Sequence, residues 1–402
     1  MVSDPVARLA LSSALVLVAA KVGGDVATRL KQPSVLGELL AGILLGSIPL
    51  PFFDALRTDP GMDVLAGLGV LVLLFQVGLD STVRDVARVG ISASAVAVLG
   101  TLGTLVAGWG AAALVLPQSS TMLHVFLAAS LTATSIGISA RVLKDAGASR
   151  TREAHTILGA SVIDDVLGLV VLSVVSGAMQ RSGEGGPSPV GVLVLLAKTF
   201  GFLAVALAVG VKLSPALFRM TARLRSGGAL VAVGLSFCFV LAWASSAIGL
   251  APIVGAFSAG LILEDSHSAR FVSRGERSLS EQMEPISSWL VPIFFVLMGM
   301  RADLRALAGG SSLLLVAALT VAAIAGKAVC AVAAPRGSDR IVVALGMLPR
   351  GEVSLVFASL GLSLGILSSG LYSVLVTVVI LTTLATPGAL RWRLSRRPAA
   401  PA

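Results

Sequence analysis

The sequence predicts an all-α polytopic membrane protein, and three observations carry that expectation. The composition is 56% hydrophobic and only 13% charged, with a mean hydropathy of +0.95, values that a water-soluble chain of this length would not show. Apolar runs long enough to cross a bilayer recur along the chain, separated by charged or Pro/Gly/Ser breaks. The loops between them alternate in charge, so that Lys and Arg gather on one side.

The runs place about 13 transmembrane helices near 6–27, 34–50, 62–80, 89–115, 120–143, 153–179, 189–212, 227–247, 249–264, 285–301, 310–333, 340–362 and 368–390. The first contains Arg8 but has no basic leader or small-residue cleavage site, so it reads as a retained helix rather than a signal peptide. Alternate loop assignment puts about 21 basic residues on one side, among them Arg84, Arg88, Arg141, Lys144, Arg150 and Arg152. It leaves about 5 on the other, Arg8, Arg57, Arg181, Arg301 and Arg305. The positive-inside rule then places the N-terminus outside and the C-terminus in the cytoplasm. Most of the net charge of +9 belongs to these loops, which disfavours nucleic acid as a partner. Cys238 and Cys330 lie in apolar segments without metal or disulfide spacing, so packing is their expected role.

The chain also repeats itself. Val35-Leu-Gly-Glu-Leu-Leu-Ala-Gly42 in the second helix aligns with Ile253-Val-Gly-Ala-Phe-Ser-Ala-Gly260 in the ninth. A second match, in the same order, pairs Gly78 with Gly299 and Arg84 with Arg305, in the third and tenth helices. Both lie seven helices apart, an odd displacement that runs the two halves in opposite directions, as in the inverted repeats of secondary transporters. The expected organisation of 1–402 is therefore a single transporter unit. Its first repeat of six helices covers 6–179, a connecting helix 189–212, the second repeat of six 227–390, and a short cytoplasmic tail 391–402.

Two adjacent carboxylates, Asp164 and Asp165, sit in Gly159-Ala-Ser-Val-Ile-Asp-Asp-Val-Leu-Gly168, with apolar sequence for about ten residues on either side. An aspartate at such depth costs about 2.5–3.5 kcal/mol on insertion scales, so the pair reads as an ion site. Neighbouring helical residues point about 100° apart, so one acid can be paired while the other faces a cavity. Lys327, in an otherwise apolar segment, is the natural partner for one of them; snorkelling toward Arg336 is the alternative. Ser161 lies one turn before Asp165 and offers a hydroxyl.

Two helix breaks are expected beside the acids. Leu131-Thr-Ala-Thr-Ser-Ile-Gly137 weakens the fifth helix and supplies Thr132, Thr134 and Ser135 as oxygen ligands, while Gly346-Met-Leu-Pro-Arg-Gly-Glu352 interrupts the twelfth through its proline. Arg350 and Glu352 are expected to act structurally, finding counter-charges or carbonyls that hold the broken helix ends, rather than to bind the cation. Glu38 reads as interfacial near a helix start, Lys198 as a snorkelling lysine, and His124, His155 and His267 as residues near helix ends or loops. Carboxylate, hydroxyl and carbonyl oxygens without thiolate or imidazole suit an alkali ion, and a carboxylate that holds a cation also takes a proton, so the two can compete at one site.

These motifs together resemble the monovalent cation:proton antiporters, most closely the bacterial NapA-type sodium/proton antiporters. The resemblance rests on Gln32-Pro-Ser-Val-Leu-Gly-Glu-Leu-Leu-Ala-Gly42, Thr132-Ala-Thr-Ser-Ile-Gly-Ile-Ser-Ala-Arg141, Val162-Ile-Asp-Asp-Val-Leu-Gly168, Gly326-Lys327 and Pro349-Arg-Gly-Glu-Val353. It implies a homodimer whose core domain moves against a dimer domain in an elevator-type cycle, Asp165 binding the Na+ ion, Asp164 paired with Lys327, and the two broken helices crossing at the site.

The expected function is an electrogenic antiporter of the bacterial inner membrane that exchanges cytoplasmic Na+ or Li+ for external protons by alternating access, with no bound cofactor. The nearest rival keeps the fold and exchanges K+. An intramembrane enzyme is disfavoured because the chain has no HExxH or GxSxG motif, and a channel because inverted repeats replace the four-fold filter signatures a channel would show.

Overall fold

Apolar runs become helices here, and their ends fall where caps or prolines permit. The computed structural model describes residues 4–80, 90–146, 148, 151–181, 189–221, 228–263, 278–303, 305, 307 and 309–396. Arg84, Arg88, Arg150 and His267, used above, lie outside the described residues. Among the described residues every regular element is a helix. In chain order they are α1 (Pro5–Arg29), α2 (Ser34–Ser47), α3 (Pro51–Arg57), α4 (Pro60–Asp80), α5 (Ile91–Val115), α6 (Thr121–Ser130), α7 (Ile136–Asp145) and α8 (Arg152–Arg181). There follow α9 (Pro189–Thr221), α10 (Ala229–Ala247), α11 (Pro252–Ile262), α12 (Leu279–Arg301), α13 (Gly310–Ala328), α14 (Arg340–Gly346), α15 (Glu352–Ser363) and α16 (Ser369–Ser395). Nine described helices are long and apolar enough to cross a membrane, and four apolar helices of 10–17 residues are shorter. The chain is a multi-pass membrane protein.

Several boundaries differ from those expected. α12 begins at Leu279, not near 285, and runs on through Pro285 and Pro292, each of which forgoes one helical hydrogen bond. α9 runs on to Thr221 through Pro215. α3 is an unanticipated short helix with Pro51 at its first position. After α13 the chain tightens into a 3₁₀ turn, Val329–Ala333, rather than continuing as α-helix.

The chain divides into two compact units, each drawn from two separate stretches. The first comprises 1–85 and 181–301, and therefore α1–α4 with α9–α12; the second comprises 86–180 and 302–402, and therefore α5–α8 with α13–α16. The core of the first gathers Val72, Phe75, Leu79, Cys238, Ile262 and Met283. Its helices approach through backbone: a Cβ on Gly299 would lie 2.1 Å from the Leu39 carbonyl oxygen, and one on Gly260 2.0 Å from that of Phe75. The core of the second gathers Val96, Val142, Ile157, Cys330, Val343 and Met347.

Candidate functional site in the second unit

The second unit holds both helix breaks. α6 stops at Ser130, and the chain is non-helical from 131 to 135 before α7 begins. α14 stops at Gly346, and 347–351 is non-helical before α15. Pro349 explains the second break, since it lacks an N–H and disfavours helical geometry in Leu348 before it. The two stretches are bonded to one another. The Ser135 N–H donates to the Pro349 carbonyl at 2.8 Å, and the Thr134 hydroxyl donates to the Met347 carbonyl at 3.0 Å. A Cβ on Gly351 would lie 2.6 Å from Ser135 Cβ, so this approach requires glycine.

α8 carries Ser161, Asp164 and Asp165 into the same region, all buried. Asp164 turns toward α13 and α5. Lys327 Nζ donates to both of its carboxylate oxygens at 2.8 Å, and the Thr101 hydroxyl donates to Oδ1 at 2.8 Å. The third ammonium hydrogen of Lys327 goes to the Thr132 carbonyl, also at 2.8 Å. Lys327 is 0% exposed, so it does not snorkel, and all three of its donors are used.

Arg350 reaches the first break from the second. Its Nη1 donates to the Thr132 and Ala133 carbonyls at 2.9 and 3.0 Å, and its Nη2 to Ala323 at 3.1 Å. The Thr132 carbonyl thus accepts from two cations. Among the described residues Arg350 has no carboxylate partner; its counter-groups are carbonyl oxygens just after α6 and in α13. Glu352 is partly exposed, makes no ion pair among the described residues, and accepts a long 3.4 Å bond from the Ser135 hydroxyl.

Asp165 is different from its neighbour. It is 4% exposed and receives no hydrogen bond from any described residue, while Glu352, Asp164 and Lys327 are the charges near enough to act on it. Three carboxylates, Asp164, Asp165 and Glu352, therefore share the region with two cations, Lys327 and Arg350. Fully ionised, the group carries one uncompensated negative charge.

The hydroxyls named as oxygen ligands all donate their hydrogens elsewhere: Thr132 to Ala129, Thr134 to Met347, Ser135 to Glu352 and Ser161 to Met347 Sδ at 3.6 Å. Each is left with lone pairs, the form a cation uses. None of them is bonded to Asp165 in this structure. Thr101, which sequence reasoning missed, is bonded directly to the site; its signal was a hydroxyl between two glycines in an uncharged helix. A second network lies at the far ends of these helices, where Glu153 of α8 accepts from the Asp339 N–H at 2.8 Å and Arg393 of α16 pairs with Asp339 at 2.9 Å. His124 is buried with a ring nitrogen 2.9 Å from the Leu116 carbonyl, and Glu38 is only 8% exposed within α2. Glu38 stands one turn after the helix start at Ser34, as the sequence placed it, with its carboxylate beside Gly24 of α1.

Comparison with known proteins fits this arrangement to a family. The transmembrane sodium/hydrogen exchanger family matches residues 13–396. The chain belongs to this family. Its members are secondary transporters and not enzymes. Among curated exchangers, the high-affinity Na+/H+ antiporter NhaS3 of Synechocystis is 34% identical, over 96% of this chain and 89% of that protein. The Na+/H+-K+ antiporter GerN of Bacillus cereus is 32% identical, over 94% of each. The exchanger fold is seen in the sodium proton antiporter MjNhaP1 of Methanocaldococcus jannaschii, with a TM-score of 0.69 at 17% identity, covering 98% of this chain and 97% of that one.

Proposed function

We propose that the protein is a secondary antiporter that exchanges Na+ or Li+ for protons at Asp165. The observation that carries this reading is the uneven charge of the site. Asp165 is a buried carboxylate with no donor among the described residues, in a group with one more acid than base, so a single monovalent cation or a proton restores balance. Burying an unpaired charge is expensive, and the two ligands relieve the same penalty in alternation. No resident cofactor is needed.

The mechanism follows from the division of labour between the acids. In the resting site Asp164 is paired with Lys327. When sodium occupies Asp165, Lys327 separates and loses its own proton, so two protons exchange for one sodium ion. Transport is then electrogenic, coupled to the membrane potential by about 2.3 kcal/mol per 100 mV for each net charge. Alternating access moves the unit built from 86–180 and 302–402 in an elevator-type cycle, within a homodimer in a bacterial inner membrane, N-terminus outside and C-terminus cytoplasmic.

The inverted-repeat reading is supported by the shapes of the repeat mates. α2 and α11, matched in sequence, are both short apolar helices of 14 and 11 residues, and the two broken helices, the fifth and twelfth by sequence, stand at the same displacement of seven. Potassium is the second reading, favoured by a relative named for both sodium and potassium and by the K+/H+ antiporter 1 of Saccharomyces cerevisiae, 26% identical over 96% of this chain. Proteoliposomes carrying a pH gradient separate the readings. Sodium and lithium are expected to dissipate the gradient and potassium to leave it. A gradient collapsed equally by potassium would shift the assignment to potassium, and one that no alkali cation collapsed would end the antiport reading.

A further inference from the structure

Four carbonyls between 346 and 350 accept from outside their own stretch of chain. Gly346 accepts from the Ser139 hydroxyl, Met347 from the Thr134 hydroxyl and Pro349 from the Ser135 N–H, three donors that all belong to the first break or to α7. The fourth carbonyl, that of Arg350, accepts instead from the Thr383 hydroxyl of α16. Within α16, Thr377, Thr382 and Thr386 each return the hydroxyl hydrogen to the carbonyl four residues back. Thr383, 3% exposed, crosses to another element.

The carbonyl it takes is the one that α15 would need in order to grow. A helix wound one residue further back would give the Arg350 carbonyl to the Ser354 N–H. α15 instead starts at Glu352, after a Gly351 at φ −142°, ψ −142°, which is far from helical. Ser354, 1% exposed, has a hydroxyl with no hydrogen-bond partner. The carbonyl four residues back, which a helical serine ordinarily bonds, is already held by Thr383.

We propose that Thr383 is the positioning residue that keeps Arg350 out of α15 and thereby sets the affinity of the site for its cation. The inference rests on the antiport reading, in which sodium sits at Asp165. Each residue of a helix turns by about 100°, so an Arg350 drawn into α15 would swing its guanidinium off the Thr132 and Ala133 carbonyls that it now holds. Those carbonyls begin the stretch that Lys327 joins to Asp164. Without Arg350 that stretch has to be ordered as the ion binds, and the ordering is subtracted from affinity. Thr383 touches neither the ion nor a proton; it acts through the path of the chain at Arg350.

Two measurements test this. The first is the sodium dependence of proton flux in vesicles. Thr383→Val keeps the shape and removes the hydroxyl. It is expected to raise the sodium concentration for half-maximal flux by about two- to tenfold, the worth of one net hydrogen bond, and to change maximal flux by less than about twofold. Thr383→Ser is expected to restore the wild-type values, and where valine is not accommodated Thr383→Ala removes the same hydroxyl. A lowered melting temperature or a lowered maximal flux, with half-maximal sodium unchanged, would show that Thr383 only supports the fold and would overturn the proposal. The second is a double-mutant cycle on thermal unfolding in detergent with Arg350→Gln. Thr383→Val is expected to lower the melting temperature by several degrees alone and by much less in the Arg350→Gln background; equal losses in both would overturn the action through Arg350. Absence of flux in the wild type would end the antiport reading and the affinity role with it, while the unfolding cycle, which needs neither ion nor transport, would still decide whether Thr383 holds Arg350.

Discussion

The two units are built from equally apolar sequence and treat buried charge in opposite ways. In the first, backbone approaches backbone at Gly42, Gly260 and Gly299, and α12 stays helical through Pro285 and Pro292. Its buried acids among the described residues are Glu38 and Asp59, the latter tied to Arg8 at 2.9 Å. In the second, two helices are broken, and Asp164, Asp165, Lys327 and Arg350 are all at least nine-tenths buried. The difference teaches what the broken helices are for. Most carbonyls of a continuous helix are already bonded within it, with Ala323 of α13 also accepting from Arg350, whereas the breaks free the Thr132, Ala133 and Met347 carbonyls to accept from a lysine, an arginine and a threonine. Buried charge in this protein is tolerated where backbone has been released to meet it.

Substitutions that act on one unit's function and the other's stability sharpen that contrast. The largest expected effect is at Asp165. Asp165→Asn keeps the volume and loses the charge, so cation-driven proton flux should fall to background while the melting temperature holds or rises; flux near that of wild type would remove Asp165 from the site. Arg350→Ala should come next, in stability rather than transport specificity. It removes all three Arg350 bonds and leaves the Ala133 carbonyl without its charged donor, while Thr132 keeps Lys327, and a loss of about 2–3 kcal/mol in unfolding free energy is expected. A melting temperature unchanged by Arg350→Ala would mean the breaks are held by other bonds.

In the first unit the expected loss is steric. Gly260→Ala drives a methyl group onto the Phe75 carbonyl and should cost about 1–3 kcal/mol. Gly67→Ala, with nothing within 4 Å of the added carbon, should be neutral or slightly stabilising in the same α4–α11 neighbourhood. Equal effects of the two would break the close-approach account. The smallest effect is predicted for Glu352→Gln, because Glu352 has no ion pair among the described residues to lose. Its unfolding should shift by less than about 1 kcal/mol, and a change in the sodium concentration for half-maximal flux would bring Glu352 into the ion's own coordination.

Much of this was legible in the sequence because charges inside apolar runs have so few explanations. Asp164, Asp165, Lys327 and Arg350 stand out against their neighbours, and Pro349 and Gly351 mark a break without any alignment. Which acid would take Lys327 could not be read from an angle of about 100° between neighbours; that choice depends on where α13 and α5 pack against α8. Thr101 was hidden for a related reason. A threonine in a membrane helix is usually satisfied by its own backbone, and only the packing shows that this one is not. Boundary errors had a plainer origin. Pro285 reads as a helix start, yet α12 begins upstream at Leu279 and gives up the one bond that the proline nitrogen cannot donate.

The carbonyl of Thr132, which accepts from Lys327 and Arg350 together, has a consequence for how this protein can vary over generations. A backbone oxygen is encoded by no codon. Any of the 20 amino acids at position 132 would present the same acceptor to both cations, provided the chain there stays non-helical, so point mutation can alter the hydroxyl beside the junction but not the junction itself. Drift at this position is therefore visible only through the side chain, and the meeting point of the two positive charges is inherited with the path of the chain.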